Sequence, residues 1–457
     1  MKNSIKINEI IEITDMTTDG TGVGRLSDGR AVFVSRCAVG DIAEVLVIKD
    51  KKSFAIGRAV SFNKLSPDRT DAGCPQYVRC GGCSLRHISY PAELKAKQKA
   101  VRDAMERIGG LTVDVAEAVS VNEERYRNKA QYPLCTINGK TAFGFYARNS
   151  HQVVPHEDCI IQPEIFHKIA GNLCKILDEA GVIAYDENSG KGLARHIILR
   201  SNLKGEIMCI LVINSMKLNN VSSIAQRLQQ LHPEIVSFYT SSNTDDTNVI
   251  MGDSVVHILG KLKIEDTLCG QRFLLSPLSF YQVNRAAAEL LYYKAKELAG
   301  LKPGEVLLDL YCGVGTIGLS ISGIDNILCG VETVEAAIED ARENAMLNGR
   351  NEADTAFYAA DAGEGIKLCK EHFGRVDVVI VDPPRKGLTP TVIDEIAGSG
   401  ANRIVYISCN PATMARDLKL FTEKGFNCGT AHPYNFFPRT EHVESIILMT
   451  NSGLKDK

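Results

Sequence analysis

No run of about 18 apolar residues, the length a membrane-spanning helix needs, occurs anywhere in the 457-residue chain, so no such helix is expected. The opening segment, MKNSIKINEI, lacks an apolar h-region. A secretory signal is therefore not expected, and the chain is placed in the cytoplasm. Excess charge of one sign is also missing. Lys and Arg number 52 against 55 Asp and Glu, a net of −3. That excludes a wholly basic nucleic-acid coat protein but leaves room for a local basic face. Tryptophan is absent, and nothing follows from it.

Cysteine is not scarce, at 14 residues. This is still far too dilute for a disulfide scaffold, which would be short and dense in cysteine. In a reducing compartment, clustered cysteines read as metal ligands or as chemistry. The composition, 44% hydrophobic and 23% charged, is ordinary for globular proteins and argues against disorder. At roughly 100–200 residues per domain, the length predicts two to four domains.

Charge is unevenly distributed. Residues 301–457 carry 15 basic against 22 acidic residues, a net of −7, which leaves +4 for residues 1–300. Seven basic residues crowd positions 79–107: Arg79, Arg86, Lys95, Lys97, Lys99, Arg102 and Arg107. A polyanion is expected to meet this N-terminal half. A solvated helix face would account for the cluster equally well.

Along the chain, residues 5–62 read as short strands (IKINEIIEI, AVFVS, IAEVLVIK, FAIGRAV) broken by Asp19-Gly20, Asp28-Gly29 and Gly40-Asp41. Five or so short strands in that length predict a small, OB-like barrel. SPDRTDAG (66–73) is a linker, and PAELKAKQKAVRDAMERIGG (91–110) a helix stopped by two glycines. Residues 112–265 mix strands and helices, as in an α+β domain. From about 270 strands and helices alternate. VLLDLY, ILCGVE, VDVVIVDPP and RIVYISC are nearly continuous apolar strands, and ESIILM is the last. This pattern predicts a doubly wound sheet with its ligands at the carboxyl ends of the strands. The fold class is thus multi-domain α/β.

Asp309-Leu-Tyr-Cys-Gly313-Val-Gly315-Thr-Ile-Gly318 follows a strand and opens a helix. Glycines there let a ligand approach the backbone closely. Glu332 ends the next strand, where a carboxylate can accept from both ribose hydroxyls. A dinucleotide would set its pyrophosphate on such a turn. The D-L-Y-C-G-x-G form instead suits adenosylmethionine, which has no phosphate. Further strand ends carry Asp382-Pro-Pro-Arg385, Ser408-Cys409-Asn410-Pro411 and His442-Val-Glu444. C5 of uracil is a poor nucleophile. A thiolate that adds at C6 makes a C5 enolate able to attack a methyl group, and a base must then remove the C5 proton. Cys409 is the candidate nucleophile, adenosylmethionine the methyl donor and Glu444 the base.

Taken together, DLYCGVGTIGL, DPPRKGL, ISCNPATMARDL and HVES resemble the RNA 5-methyluridine methyltransferases. With the barrel-like N-terminus and CPQYVRCGGCSLRH, the chain is most similar to the RumA/RlmD group of that family, which acts on 23S ribosomal RNA. The resemblance spans nearly the whole chain and keeps the family's motif order. It implies a TRAM barrel at 1–62, a central domain with an iron–sulfur site at 74–268, and a Rossmann-like methyltransferase domain at 269–457. It assigns Cys409 as nucleophile and Glu444 as base, and Gln282, Tyr311, Glu332 and Asp382, beside Gly313 and Gly315, as the adenosylmethionine site. Two positions depart slightly from the pattern. Glu441 precedes His442 as a weaker rival for the base role, and Tyr311 stands where some relatives have Phe.

Cys74, Cys80, Cys83 and Cys159 offer four thiolates. Spacing alone leaves zinc and a [4Fe–4S] cluster open. The resemblance implies the cluster, closed and structural. The implied partner is RNA, a 23S stem-loop with an extruded uridine. Arg127, Lys129 and Gln131 are candidate RNA contacts of the central domain. No membrane and no obligate protein partner are expected. The rival functions are transfer-RNA methylation by the same chemistry, an inactive RNA-binding module, and a redox enzyme. Transfer-RNA members of the family generally lack the barrel and cluster segments, which favours ribosomal RNA.

Overall fold

A computed structural model describes residues 8–252, 254–451 and 453. The first seven residues of the expected barrel and the extreme C-terminus lie outside that set. In the N-terminal barrel, six strands pair in the order Asn8–Glu12, Ile42–Asp50, Phe54–Lys64, Ala31–Ser35, Thr21–Arg25, Asp15–Met16. Period-2 alternation buries Val32 and Val34 of one strand and Ala43 and Val45 of another in a shared core with Ile11 and Ala55. The linker that follows is tied down rather than loose. The buried Asp41 carboxylate accepts from the Ala38 and Ser66 amides and from Arg69.

The helix expected over 91–110 runs Tyr90–Ala104, capped by Ser89, and then widens into a π-turn at Met105–Gly109. Gly110, at φ 64°, ends it. Its apolar stripe does not meet the central sheet. Val101, Ala104 and Met105 join the core built by the C-terminal half with Met414, Ala415 and Tyr406.

Seven strands form the central sheet, and the helices Glu164–Glu179 and Val221–Leu231 cover one face of it. Part of the other face, Ile198, Met208, Ile210 and Val212, packs against Leu291 and Tyr292 of the helix Arg285–Ala299. The expected domain division at 268/269 falls in the turn of the hairpin Ile264–Leu268/Gln271–Leu275.

The C-terminal sheet contains β1 (Val306–Leu310), β2 (Ile327–Glu332), β3 (Thr355–Ala359), β4 (Val378–Val381), β5 (Arg403–Ser408), β6 (Phe426–Cys428), β7 (His432–Tyr434) and β8 (Glu444–Asn451). Its order is β3-β2-β1-β4-β5-β8-β6, with β7 also on β8. The first five strands are parallel and β8 is antiparallel to β5. Every residue of β1 and of β4 is buried, as helices on both faces require. The strand order reverses between β1 and β4, and the crevice opens there, at the carboxyl ends.

Candidate active site

Sheet register lines up the functional side chains. Leu310 of β1 pairs Val331 of β2 and Val381 of β4, so Tyr311, Glu332 and Asp382 leave the sheet side by side. Ser408 of β5 pairs Ser445 of β8. Cys409 follows that pair and Glu444 precedes it, so thiol and carboxylate emerge across one ladder end.

The turn after β1 is left-handed at Tyr311 (φ 68°), Gly313 (φ 53°) and Gly315 (φ 82°). A side chain at Gly318 would meet Asp309 Oδ2 at 2.9 Å and Leu328 Cδ1 at 2.7 Å. Glycine there lets the helix Thr316–Ile321 start directly on Asp309, whose Oδ2 accepts from the Gly318 amide at 2.8 Å. Asp309 is 1% exposed, and its other oxygen, Oδ1, has no partner. Burial, opposed by the Gly318 bond and reinforced by Asp382 and Glu332, pushes its carboxyl up to about 7. Glu332 Oε1 accepts from the Thr333 and Val334 amides, which fixes that carboxylate at the strand end. An open left-handed turn, an orphaned buried carboxylate oxygen and an oriented acid suit adenosylmethionine. Gln282 lies just before the helix Arg285–Ala299, and its carbonyl accepts from Asn128 of the central domain at 2.9 Å.

Cys409 is half-buried, and Glu444 is 7% exposed. Burial pushes the Cys409 thiol up to about 11; Glu444 and Asp382 add to the rise and Arg385 opposes it. Glu444 is held well above the ordinary carboxylate range by burial and by Asp382, again against Arg385. Burial alone brings Asp382 up to about 6. Two acids and a thiol thus share one crevice, and the Arg385 guanidinium is the counter-charge acting on Cys409 and Glu444. Arg385 Nη2 stands 3.4 Å from His442 Nε2. A cleft of about 640 Å³ exposes Cys409, Asn410, Arg385 and His442 on one wall and Thr17, Thr18 and Asp19 of the barrel on the other.

Sequence reasoning did not reveal what holds the loop before Glu444. Glu93, on the helix Tyr90–Ala104, accepts from the Arg439 amide and from Asn435 Nδ2 at 2.9 Å each. Lys97 donates to Asn435 Oδ1 and to the Phe437 carbonyl. Arg439, left-handed at φ 70°, reaches the Ile88 carbonyl and Glu123. Glu93 and Lys97 are 0% and 2% exposed, an unusual depth for charges, and each is paired there. Glu441, the rival base, instead accepts from the Ser84 hydroxyl. Burial would raise it, but that bond and His442 bring it below the ordinary carboxylate value. An acid so depressed is a poor proton acceptor, unlike Glu444.

Cys74, Cys80, Cys83 and Cys159 line a single cavity of about 520 Å³. Burial, reinforced by Cys159 and despite Arg86, pushes Cys83 up to about 12. Burial also raises Cys159, to about 11, with Cys80 and Cys74 adding. The expected closed ligand set is not formed. Among the described residues no group of three or more His, Cys, Asp or Glu is arranged to hold a metal ion. Arg127, Lys129 and Gln131 line this same cavity rather than an open surface. Burial first, then Arg200 and Arg127, bring the half-buried Lys129 down to about 7.

The parallel sheet, its glycine turn and the acid at the end of β2 define an adenosylmethionine-dependent methyltransferase fold. The family model for tRNA (Uracil-5-)-methyltransferase matches residues 89–452, and the TRAM domain model matches residues 10–60. The chain belongs to the RNA uracil-5-methyltransferase family. It is 38% identical over 447 residues to an uncharacterized RNA methyltransferase of Halalkalibacterium halodurans, covering 97% of each chain. A Clostridium tetani relative of the same description is 39% identical, covering 97% of this chain and 96% of its own. The crystal structure of Pyrococcus abyssi tRNA (uracil-54, C5)-methyltransferase with S-adenosyl-L-homocysteine superposes with a TM-score of 0.77 at 26% identity. That match covers 97% of this chain and all of the other. No helix among the described residues is long and apolar enough to cross a membrane.

Proposed function

We propose that the chain methylates C5 of a uridine in 23S ribosomal RNA through a covalent adduct on Cys409. The observation that carries the covalent mechanism is the pairing of Ser408 with Ser445, which sets Cys409 against Glu444 at one ladder end, while the choice of 23S RNA rests on the resemblance of the cysteine segment. Cys409 Sγ bonds to C6 of the uracil, and the electron pair moves to C5. Adenosylmethionine would supply the electrophilic methyl group that C5 takes, the S–CH3 bond breaking to leave S-adenosylhomocysteine. Glu444 then accepts the C5 proton, the C5–C6 double bond re-forms and the Cys409 thiolate leaves. Arg385 favours the thiolate, because it is the cation that opposes the rise at both Cys409 and Glu444. Gln282, Tyr311, Gly313, Gly315, Glu332 and Asp382 hold the methyl donor in this reading.

The four cysteines, walled by Arg86, Arg127 and Lys129, have the donor chemistry for a [4Fe–4S] cluster. Those cations would offset the negative charge of four thiolates. A cluster held there would tie the loop 74–83 to Cys159 and would take no part in the chemistry at C5.

A second reading, transfer RNA as substrate, rests on one observation. The Pyrococcus abyssi transfer-RNA enzyme matches 97% of this chain, so a transfer-RNA enzyme need not lack the N-terminal segments. Tritium release from C5-labelled RNA decides between the two. Anaerobically purified protein is given adenosylmethionine with large-subunit ribosomal fragments or with transfer RNA, and Cys409→Ala serves as control. Release from ribosomal fragments alone, lost in the control, is expected. Release from transfer RNA alone overturns the substrate, and release unaffected by Cys409→Ala overturns the mechanism.

A further inference from the structure

We propose that a second pocket, beside the strand Ala194–Ser201 of the central sheet, receives the base of an unpaired nucleotide of the RNA. The inference rests on the RNA-methylating reading and adds a subsite to it.

The pocket is a cavity of about 420 Å³, within the size range of ligand sites of about 300–1,000 Å³. Tyr146, His151, Tyr185, Glu187, Arg195 and His196 line it. None of them belongs to the catalytic crevice or to the cysteine cavity. Arg195 and His196 are each only 6% exposed, yet Arg195 Nε and His196 Nδ1 have no partner. Arg195 Nη1 and His196 Nε2 are already paired. Arg195 Nη1 donates to the carbonyls of Asn243 and Asp245 at 2.9 Å each. His196 Nε2 meets the Tyr146 hydroxyl at 3.2 Å. Two unpaired polar atoms thus belong to residues that line the cavity, and leaving them without a partner is costly.

Flat surfaces flank these atoms. The Arg195 guanidinium lies 4.7 Å from the Tyr185 ring centroid. The Tyr146 and His151 rings are 5.4 Å apart at 31°. Glu187 pairs with His151 Nδ1 at 2.6 Å and places a carboxylate at the rim. That carboxylate repels a phosphate but accepts from an exocyclic amino group. Aromatic faces with a few fixed donors and acceptors are the means by which unpaired bases are held.

The location fits. The Tyr146 carbonyl accepts from the Gly81 amide at 2.9 Å, beside the cysteine loop. Arg148 pairs with Asp19 of the barrel at 3.5 Å, and Asp19 lines the cleft that exposes Cys409. Arg148 lies in the turn between Tyr146 and Val153, and Ser150, His151 and Gln152 of that turn line the pocket. RNA with its uridine at Cys409 would cross the Asp19–Arg148 bridge to reach it.

Photocrosslinking of the full-length protein to RNA substituted with 6-thioguanosine, and in parallel with 4-thiouridine, tests this. Crosslinked peptides should contain residues 140–153 or 185–196. Tyr185→Ala and the exposed His151→Ala should each raise KM for RNA about tenfold with kcat retained, and Tyr185→Phe should restore it. An unchanged KM in both alanine variants, with no crosslink in those peptides, overturns the pocket and leaves the methylation reading intact. Loss of methylation in the wild-type protein would strike that reading instead, while the crosslink still reports on the pocket. AMP or GMP that binds free protein, is lost in Tyr185→Ala and leaves RNA affinity unmoved would overturn the RNA assignment in favour of a free nucleotide.

Discussion

The Ser84 hydroxyl donates to the Glu441 carboxylate across 357 positions of sequence. The Ser84 and Leu85 amides also donate to the Arg439 carbonyl, at 3.0 and 3.1 Å. The loop that carries Cys80 and Cys83 therefore grips the segment leading to Glu444. A hydrogen bond to a charged group contributes about 1.5–3 kcal/mol. Ser84→Ala should slow single-turnover methylation about tenfold with KM for adenosylmethionine unchanged, and Ser84→Thr should recover it. An unchanged rate in Ser84→Ala would show that Glu93 and Lys97 hold the segment unaided.

Thiol reactivity should follow the charges around Cys409. With its pKa raised to about 11, little thiolate exists at neutral pH, and alkylation by iodoacetamide should climb through the alkaline range. Arg385 favours the thiolate, so Arg385→Gln should move the midpoint further up. Mass spectrometry of the Cys409 peptide follows this residue among the 14 cysteines. A midpoint that falls in Arg385→Gln would contradict the assignment of Arg385.

Stability should carry the mark of Asp382. Its carboxyl rises from 3.8 to about 6 on folding. A raised acid contributes stability that is present below the unfolded pKa and lost as pH climbs through the folded one. Wild type should therefore lose on the order of 1–3 kcal/mol between about pH 4 and pH 6 relative to Asp382→Asn. Thermal melts of both proteins across that range give the answer. Parallel curves would mean that Asp382 ionises freely.

The order of events at C5 separates the two catalytic candidates. Glu444→Gln should accumulate a protein–RNA adduct on denaturing gels, because the adduct forms but the C5 proton stays. Cys409→Ala should form none. An adduct in Cys409→Ala would give the nucleophile role to another residue.

Iron and acid-labile sulfide near four each per chain are expected in anaerobically prepared protein, and both should be lost in Cys83→Ser. Zinc without sulfide would replace the cluster by a tetrathiolate zinc site.

The C-terminal half was readable because its signals are local. Continuous apolar strands, the glycine turn and the acid or thiol after each strand all lie within a few residues of one another. Register then carried Cys409 and Glu444 together, although 35 positions separate them. The barrel was readable from its alternation, though Thr21–Arg25, with two glycines in five residues, carries almost no strand signal. The clamp on the catalytic segment was not readable. Glu93 and Lys97 look like ordinary solvated helix residues, and only the fold shows that they are buried on Asn435 and Arg439. The pocket at Tyr185 was hidden for the same reason, since three separate stretches of chain supply its walls. Arg127, Lys129 and Gln131 were found as a group, but charge alone could not tell a cavity wall from an open surface.

The Lys97–Asn435 bond spans 338 positions and has a counterpart in time. At about 5–20 residues per second, the helix Tyr90–Ala104 leaves the ribosome roughly 20–70 s before the residues that bury its charges. The segment leading to Glu444 is synthesised long after the helix on which it docks. A chain stopped before Asn435 therefore lacks the partner that holds Lys97 and Glu93, and the loop before Glu444 has no fixed seat.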